Sequence, residues 1–221
     1  MKNQEKVQIF IDGGNFHHLL LKKLKLKELD FSFDDFAKFL ADGRIITEAG
    51  KRYYIGTVRE QEDNTKSKES MAQQQKLFAQ LWSSGWQTKT SKLRFREEKV
   101  IIDDRTVDYK KILKKGIKQI EYHRFREKGI DVKIATDLII GALDNKYDTA
   151  ILVSSDTDLI PAIDIVRKRF KKRVEYVGFS IIDETAQQED SKSSIGMITK
   201  SDIQRILVKS DIDNFIKEKL I

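Results

Sequence analysis

Short apolar runs alternate along this chain with longer stretches in which apolar residues recur every three or four positions. Residues 7–11 are rich in β-branched side chains and run into Asp12, Gly13, Gly14 and Asn15, which reads as a buried parallel strand running into a loop. A helix carrying Phe16, Leu19 and Leu20 follows, and Phe33, Phe36, Ala37 and Leu40 predict another over 33–40. Residues 52–58 read as the next strand and 59–66 as a polar loop. Residues 68–84 repeat Met71, Leu77, Phe78 and Leu81 up to Gly85, a helix with a glycine stop, and 86–95 look extended.

The second half repeats the alternation. Residues 131–145 carry one apolar stripe, Ile134, Ala135, Leu138, Ile139, Ala142 and Leu143, with Asp131 placed to cap the first turn. Residues 149–153 are too uniformly apolar for an edge strand and end in Ser154, Ser155, Asp156, Thr157 and Asp158. A helix over 159–170 has the sole proline, Pro161, in its first turn, where a missing N–H costs little, and 173–179 reads as the last core strand. Such alternation predicts an α/β fold with a mainly parallel central sheet. Beyond Ser180 the chain turns polar, and two short helical patterns follow. The second has Ser210 and Asp213 as a capping box and Ile212, Phe215, Ile216 and Leu220 as an apolar face. The expected organisation is a domain over 1–180 and a polar linker with a C-terminal helical extension over 181–221, packed on that domain.

Composition narrows the class. A chain of 221 residues with 39% apolar residues buries a real core, and zero cysteines exclude disulfides, thiolate metal sites and cysteine nucleophiles. No leader-like apolar segment or run of 18 apolar residues is present, which sets the expectation of a soluble cytoplasmic protein with no membrane partner. A net charge of +7 is weak evidence by itself, but its distribution says more. Residues 109–126 hold seven basic side chains against Glu121 alone, residues 167–173 hold six, and Lys22, Lys23, Lys25 and Lys27 form a third group. Lys111, Lys114, Lys115, Lys118, Arg124 and Arg126 are therefore candidate RNA contacts. Tyr109, Tyr122, Phe125 and Phe170 lie among the cations and suit base stacking or ordinary packing equally.

Candidate chemistry lies where carboxylates fall relative to the strands. Asp12 follows the first strand directly, and Asp156 and Asp158 follow the strand ending at Val153. In open α/β sheets the ligand crevice lies outside the carboxyl ends of the strands, so these acids and Asp131 are candidates to share one mouth. Like charges held close are costly unless a cation sits among them, and a hard divalent ion takes oxygen ligands. Gly13-Gly14 would let a phosphate approach a helix N-terminus, but no nucleotide-binding glycine pattern is present. His17 and His18 neighbour the site and point apart, and neither is assigned a role.

Three stretches, Ile9-Phe10-Ile11-Asp12-Gly13-Gly14-Asn15-Phe16, residues 128–137 and residues 147–159, resemble the signatures of LabA-like NYN domains of the PIN-like nuclease superfamily. The resemblance implies a PIN-like αβα sandwich and Mg²⁺- or Mn²⁺-dependent hydrolysis of RNA, single-stranded by expectation. It places Asp12, Asp131, Asp156 and Asp158 in the metal site and gives Asn15 the task of orienting a phosphate or a coordinated water. Asp137 matches the motif's second acid, yet six residues on from Asp131 it lies on another face of the helix. The Asp156-Thr157-Asp158 run also resembles the aspartyl-phosphate loop of haloacid-dehalogenase-type phosphatases, which sits earlier in its domain and is followed by other residues. A ribonuclease is the expectation. The alternative is a catalytically silent RNA- or protein-binding regulator on the same fold, with a homodimer left open.

Overall fold

A computed structural model of the protein describes residues 4–57, 65–92, 94–126, 129–183 and 189–217, with the side chains of 65, 66, 94, 95 and 123–126 outside the described set. In chain order the strands are β1 (Lys6–Asp12), β2 (Ile45–Thr57), β3 (Gln87–Lys92), β4 (Arg94–Ile101), β5 (Gln119–Arg126), β6 (Thr149–Val153), β7 (Arg173–Phe179) and β8 (Ile203–Leu207). The helices are α1 (Gly13–Phe16), α2 (Phe33–Ala41), α3 (Thr65–Ser83), α4 (Tyr109–Lys114), α5 (Ile130–Leu143), α6 (Ile160–Lys168), α7 (Ile195–Lys200) and α8 (Lys209–Ile212).

Six strands form one sheet in the order β3-β2-β1-β6-β7-β8, and every pairing in it is parallel. Alternation along β1 divides its side chains between two cores. Val7, Ile9 and Ile11 face Phe16, Phe31, Phe36, Leu40 and Leu81, while Phe10 faces Ile134, Leu138, Leu152 and Ile163. One layer is thus built by α1, α2 and α3, the other by α5, α6 and α7, giving an α/β sandwich. Each fully buried large side chain, Phe36 or Ile163 for example, contributes about 1.5–3 kcal/mol from area removed from water. No described helix is long and apolar enough to cross a membrane.

The strands at 149–153 and 173–179 stand where the pattern puts them. Others differ. β2 begins at Ile45, and its ladder with β1 slips between Val7 and Ile9, so residues 47–50 bulge out with Ala49 at φ +54. β7 is not the last core strand, because β8 adds to its free edge. The fully buried Glu175 on β7 meets Arg205 of β8 at 2.5 Å and Arg44 at 2.8 Å, which ties the added strand to the body. Near the C-terminus the helix N-terminus is closed by Asp211, whose carboxylate accepts from Val208 N–H, instead of by Ser210 and Asp213. A short 3₁₀ turn over Asp213–Phe215 replaces a longer helix, with Ile212 and Phe215 buried as expected. Leu220 lies outside the described residues.

The largest departure is an arm. Between β3 and α5 the chain builds β4 and β5, an antiparallel pair joined through α4 and separate from the main sheet. The sequence carries no alternating apolar face there, because both faces meet solvent.

Candidate active site

Strand order decides where the acids meet. The chain crosses from β1 to one side and from β6 to the other, so these two neighbours flank the point where the winding reverses and a crevice opens beyond their carboxyl ends. Ile11 pairs with Val153, which sets Asp12 beside Ser154. Asp12 is only 7% exposed. Its Oδ1 accepts from Asn15 N–H at 3.0 Å, capping α1, and its Oδ2 accepts from Ser154 Oγ at 3.2 Å.

The loop after β6 is laid down by the same kind of bond. Asp156 N–H donates to Ser154 Oγ at 3.2 Å, and Asp156 Oδ1 accepts from Asp158 N–H at 2.9 Å, capping the 3₁₀ turn Thr157–Leu159. Asn15 clasps the loop from the other strand, its Oδ1 accepting from Ser155 N–H at 3.0 Å. Ser155 Oγ lies 2.7 Å from the Tyr176 hydroxyl on β7, which also accepts from Ser194 N–H at 3.1 Å. Ser154, Ser155, Tyr176 and Ser194 were not singled out by sequence. The two serines stand in the acid-rich run and offered a signal, whereas Tyr176 is one more aromatic in an apolar strand.

Asp131 reaches the site from the first turn of α5, whose cap position is Gly129 at φ +88, a left-handed conformation suited to glycine. An acid there is favoured by the helix dipole. Charge couples the set. Burial pushes the Asp12 carboxyl up to about 6, against the bonds from Asn15 and Ser154, with Asp131 and Asp156 adding repulsion. Asp131 is raised by burial first and then by Asp156 and Asp158. Asp131 and Asp156 thus act on Asp12, and Asp156 and Asp158 act on Asp131.

They do not form a closed cage. Among the described residues no three His, Cys, Asp or Glu side chains are arranged to hold a metal ion as they stand. Asp12 and Asp156 are each turned onto a backbone N–H as helix or turn caps, and like charges gain nothing by closing further. The donor set nonetheless fits a hard divalent cation in kind, being carboxylate oxygens with no thiolate or imidazole among them.

Other expected residues stand apart. Asp137 Oδ2 accepts from the Tyr54 hydroxyl at 2.7 Å and lies 3.5 Å from Arg52 and 4.0 Å from Lys89, a separate network lower on α5, so it is not one of the converging acids. A six-residue step along a helix both rotates it away and moves it about 9 Å down the axis. His17 Nδ1 is bound to Glu28 Oε1 at 2.7 Å within a π-helical turn, Phe16 being followed by His17–Leu21. Gly13 is needed for packing, since a Cβ there would lie 2.8 Å from the Tyr53 ring. Lys111 and Lys114 on α4, with Lys115 and Lys118 after it, are exposed at the far end of the arm, roughly 24 Å of ladder from its root. The side chains of Arg124 and Arg126 lie outside the described residues. Beside the C-terminal end of β2 a cavity of about 570 Å³ opens between residues 27–29 and α3, lined by Glu28, Gly56, Ser70 and Gln74 among others.

The model of the NYN domain family matches residues 6–198. A search of curated proteins finds no match. Among solved structures, the crystal structure of a protein of unknown function from Vibrio parahaemolyticus RIMD 2210633 is similar over 98% of both chains, with a TM-score of 0.56 and 18% identity, a likeness of fold.

Proposed function

This chain belongs to the NYN domain family, and from that premise we propose that it is a ribonuclease hydrolysing RNA phosphodiester bonds with Mg²⁺ or Mn²⁺ at Asp12, Asp131, Asp156 and Asp158. The observation that supports the reading is the charge coupling near the winding reversal, where the Asp12 carboxyl is raised by burial and then by Asp131 and Asp156, and Asp131 by burial and then by Asp156 and Asp158. A cation there would remove that cost, which a purely structural cluster of acids would bear for nothing. When bound, a divalent ion polarises the scissile phosphate and lowers the pKa of the attacking water.

The chain's own residues do the placing. Asn15 and Ser154 hold the Asp12 and Asp156 segments in register across the crevice, and Tyr176 anchors Ser155 from β7. Within the family the three motifs favour a LabA-like member. The exposed lysines Lys111, Lys114, Lys115 and Lys118 serve single-stranded RNA by neutralising phosphates away from the chemistry. The basic arm taken without the acids would suit the second reading, a silent RNA- or protein-binding regulator.

Purified protein should cleave single-stranded RNA with Mn²⁺ or Mg²⁺ and stop with EDTA. Asp156→Asn keeps the cap to Asp158 N–H and should lower the rate about a hundredfold or more with no loss of thermal stability. Undiminished cleavage by that variant would place the chemistry elsewhere, and inactivity of wild type across metals and RNA types would leave the regulator. Replacing the four lysines by Gln should raise the RNA concentration at half-maximal rate more than it lowers the saturated rate.

A further inference from the structure

The bulge in β2 opens a cavity at the end of the sheet away from the acids. Where residues 47–50 leave the ladder with β1, a space of about 650 Å³ lies between the sheet and the last turn of α5. Sites for small molecules span about 300–1,000 Å³. Lys6 and Gln8 of β1 line this space, and Asp12 lies roughly 13 Å beyond Gln8 along the same strand.

Gln8 is the anomaly in the cavity. Alternation along β1 turns it to the same apolar layer as Phe10, and it is only 1% exposed. Its Nε2 donates to Thr47 Oγ1 at 3.0 Å, while its Oε1 is buried with no hydrogen-bond partner. An apolar side chain would occupy that place without stranding an acceptor. Oε1 faces Gly141 on α5, another wall of the cavity, where even an added Cβ would stand 3.3 Å away. The bulge that forms the opposite wall is strained, with Ala49 at φ +54 and its carbonyl accepting from Arg52 Nε at 3.3 Å.

The remaining lining divides by kind. Ile45 on β2 and Ile140 on α5 are 43% and 47% exposed, large apolar side chains left open on walls built by different elements. At the rim Lys6 and Lys146 bring two ammonium groups, and Glu48 and Asp144 two carboxylates, all four exposed.

We infer that this cavity is a second ligand site, for a nucleoside monophosphate whose base carries an exocyclic amino group. The flat base lies between Ile45 and Ile140, and its amino group donates to Gln8 Oε1. Ribose hydroxyls donate to Glu48 and Asp144, and the phosphate meets Lys6 and Lys146. A ligand of a single charge would leave half of the rim unmatched, and one without a flat apolar part would leave the isoleucines in water. The inference goes beyond the nuclease reading and needs no metal, because the site stands at the opposite end of the sheet from Asp12.

The test is calorimetric titration of the full chain in EDTA with AMP, adenosine and UMP. AMP should bind, and UMP, which lacks the amino group, should bind about tenfold more weakly. Gln8→Leu should weaken AMP by about the same factor, while the melting temperature without ligand stays level or rises because a stranded acceptor has gone. A second variant avoids the core: Lys6→Gln with Lys146→Gln should erase the preference for AMP over adenosine and leave adenosine binding as it was. Asp156→Asn should bind AMP as wild type does. Competition by a short single-stranded RNA that is lost in Gln8→Leu would show that the base arrives on a chain, and AMP binding that such RNA leaves untouched would show that it arrives free. Absence of AMP binding, UMP bound as tightly as AMP, or binding lost in Asp156→Asn and kept in the other two variants overturns the site. Cleavage in Mn²⁺ is scored separately. AMP binding without cleavage of any RNA would end the nuclease reading and leave this site standing, and cleavage without AMP binding would do the reverse.

Discussion

Replacing Asp12 by Asn should make the protein more stable while removing its chemistry. The side chain is nearly buried, and its carboxyl stands at about 6 where an ordinary aspartate has 3.8. A rise of about two units corresponds to about 3 kcal/mol by which the folded state disfavours the charged form at neutral pH. Between pH 4 and 6 the folded chain holds a proton that the unfolded chain has released, so stability from this group is complete below about pH 4 and is lost as pH rises through 6. Asparagine does not ionise, and its Oδ1 still accepts from Asn15 N–H to cap α1. In EDTA at pH 8 the variant should therefore melt higher, by about 6–12 °C for a domain of this size. The gap should close as pH falls to 4. Adding Mn²⁺ should raise the wild-type melting temperature more than the variant's, since the ion favours the ionised carboxylate. Calorimetry across pH reads all three effects. A variant that melts lower than wild type at pH 8, or a gap that persists at pH 4, would show that the bonds from Asn15 and Ser154 outweigh burial and repulsion, and the argument for a cation at this position would lose its basis.

Asp137→Asn should leave cleavage within about twofold, because its carboxylate serves Tyr54, Arg52 and Lys89; a loss as deep as that of Asp156→Asn in the same assay would return Asp137 to the reacting set. Tyr176→Phe deprives Ser194 N–H and Ser155 Oγ of their shared partner and should cost about 1–3 kcal/mol in urea unfolding, with slower cleavage as the loop carrying Asp156 loosens. Unchanged stability in that variant would mean that the loop is held by Asn15 and Ser154 alone.

What could be read along the chain is what burial writes into composition. Strands covered on both faces are mostly apolar, so β6 and β7 are legible to the residue and β1 nearly so, and the acids at the ends of β1 and β6 mark the carboxyl ends of the sheet. From these come the α/β class and Asp12, Asp156 and Asp158, while Asp131 came from the start of its helix and the motif around it. Elements whose partners lie far away in sequence leave no such mark. β8 mixes Gln204 and Arg205 with its apolar residues and becomes a strand because β7 offers a free edge and Glu175 offers Arg205 a buried partner. β4 and β5 are charged on both faces, since no core covers them, and their pairing is set by the ladder. The six-residue step already set Asp137 on another helix face from Asp131, and tertiary structure decided what it meets there, Tyr54 and Arg52. It also decided which way the capping carboxylates turn, and it placed Arg96 opposite Arg124, a relation between residues 28 positions apart that only the register of a folded hairpin defines.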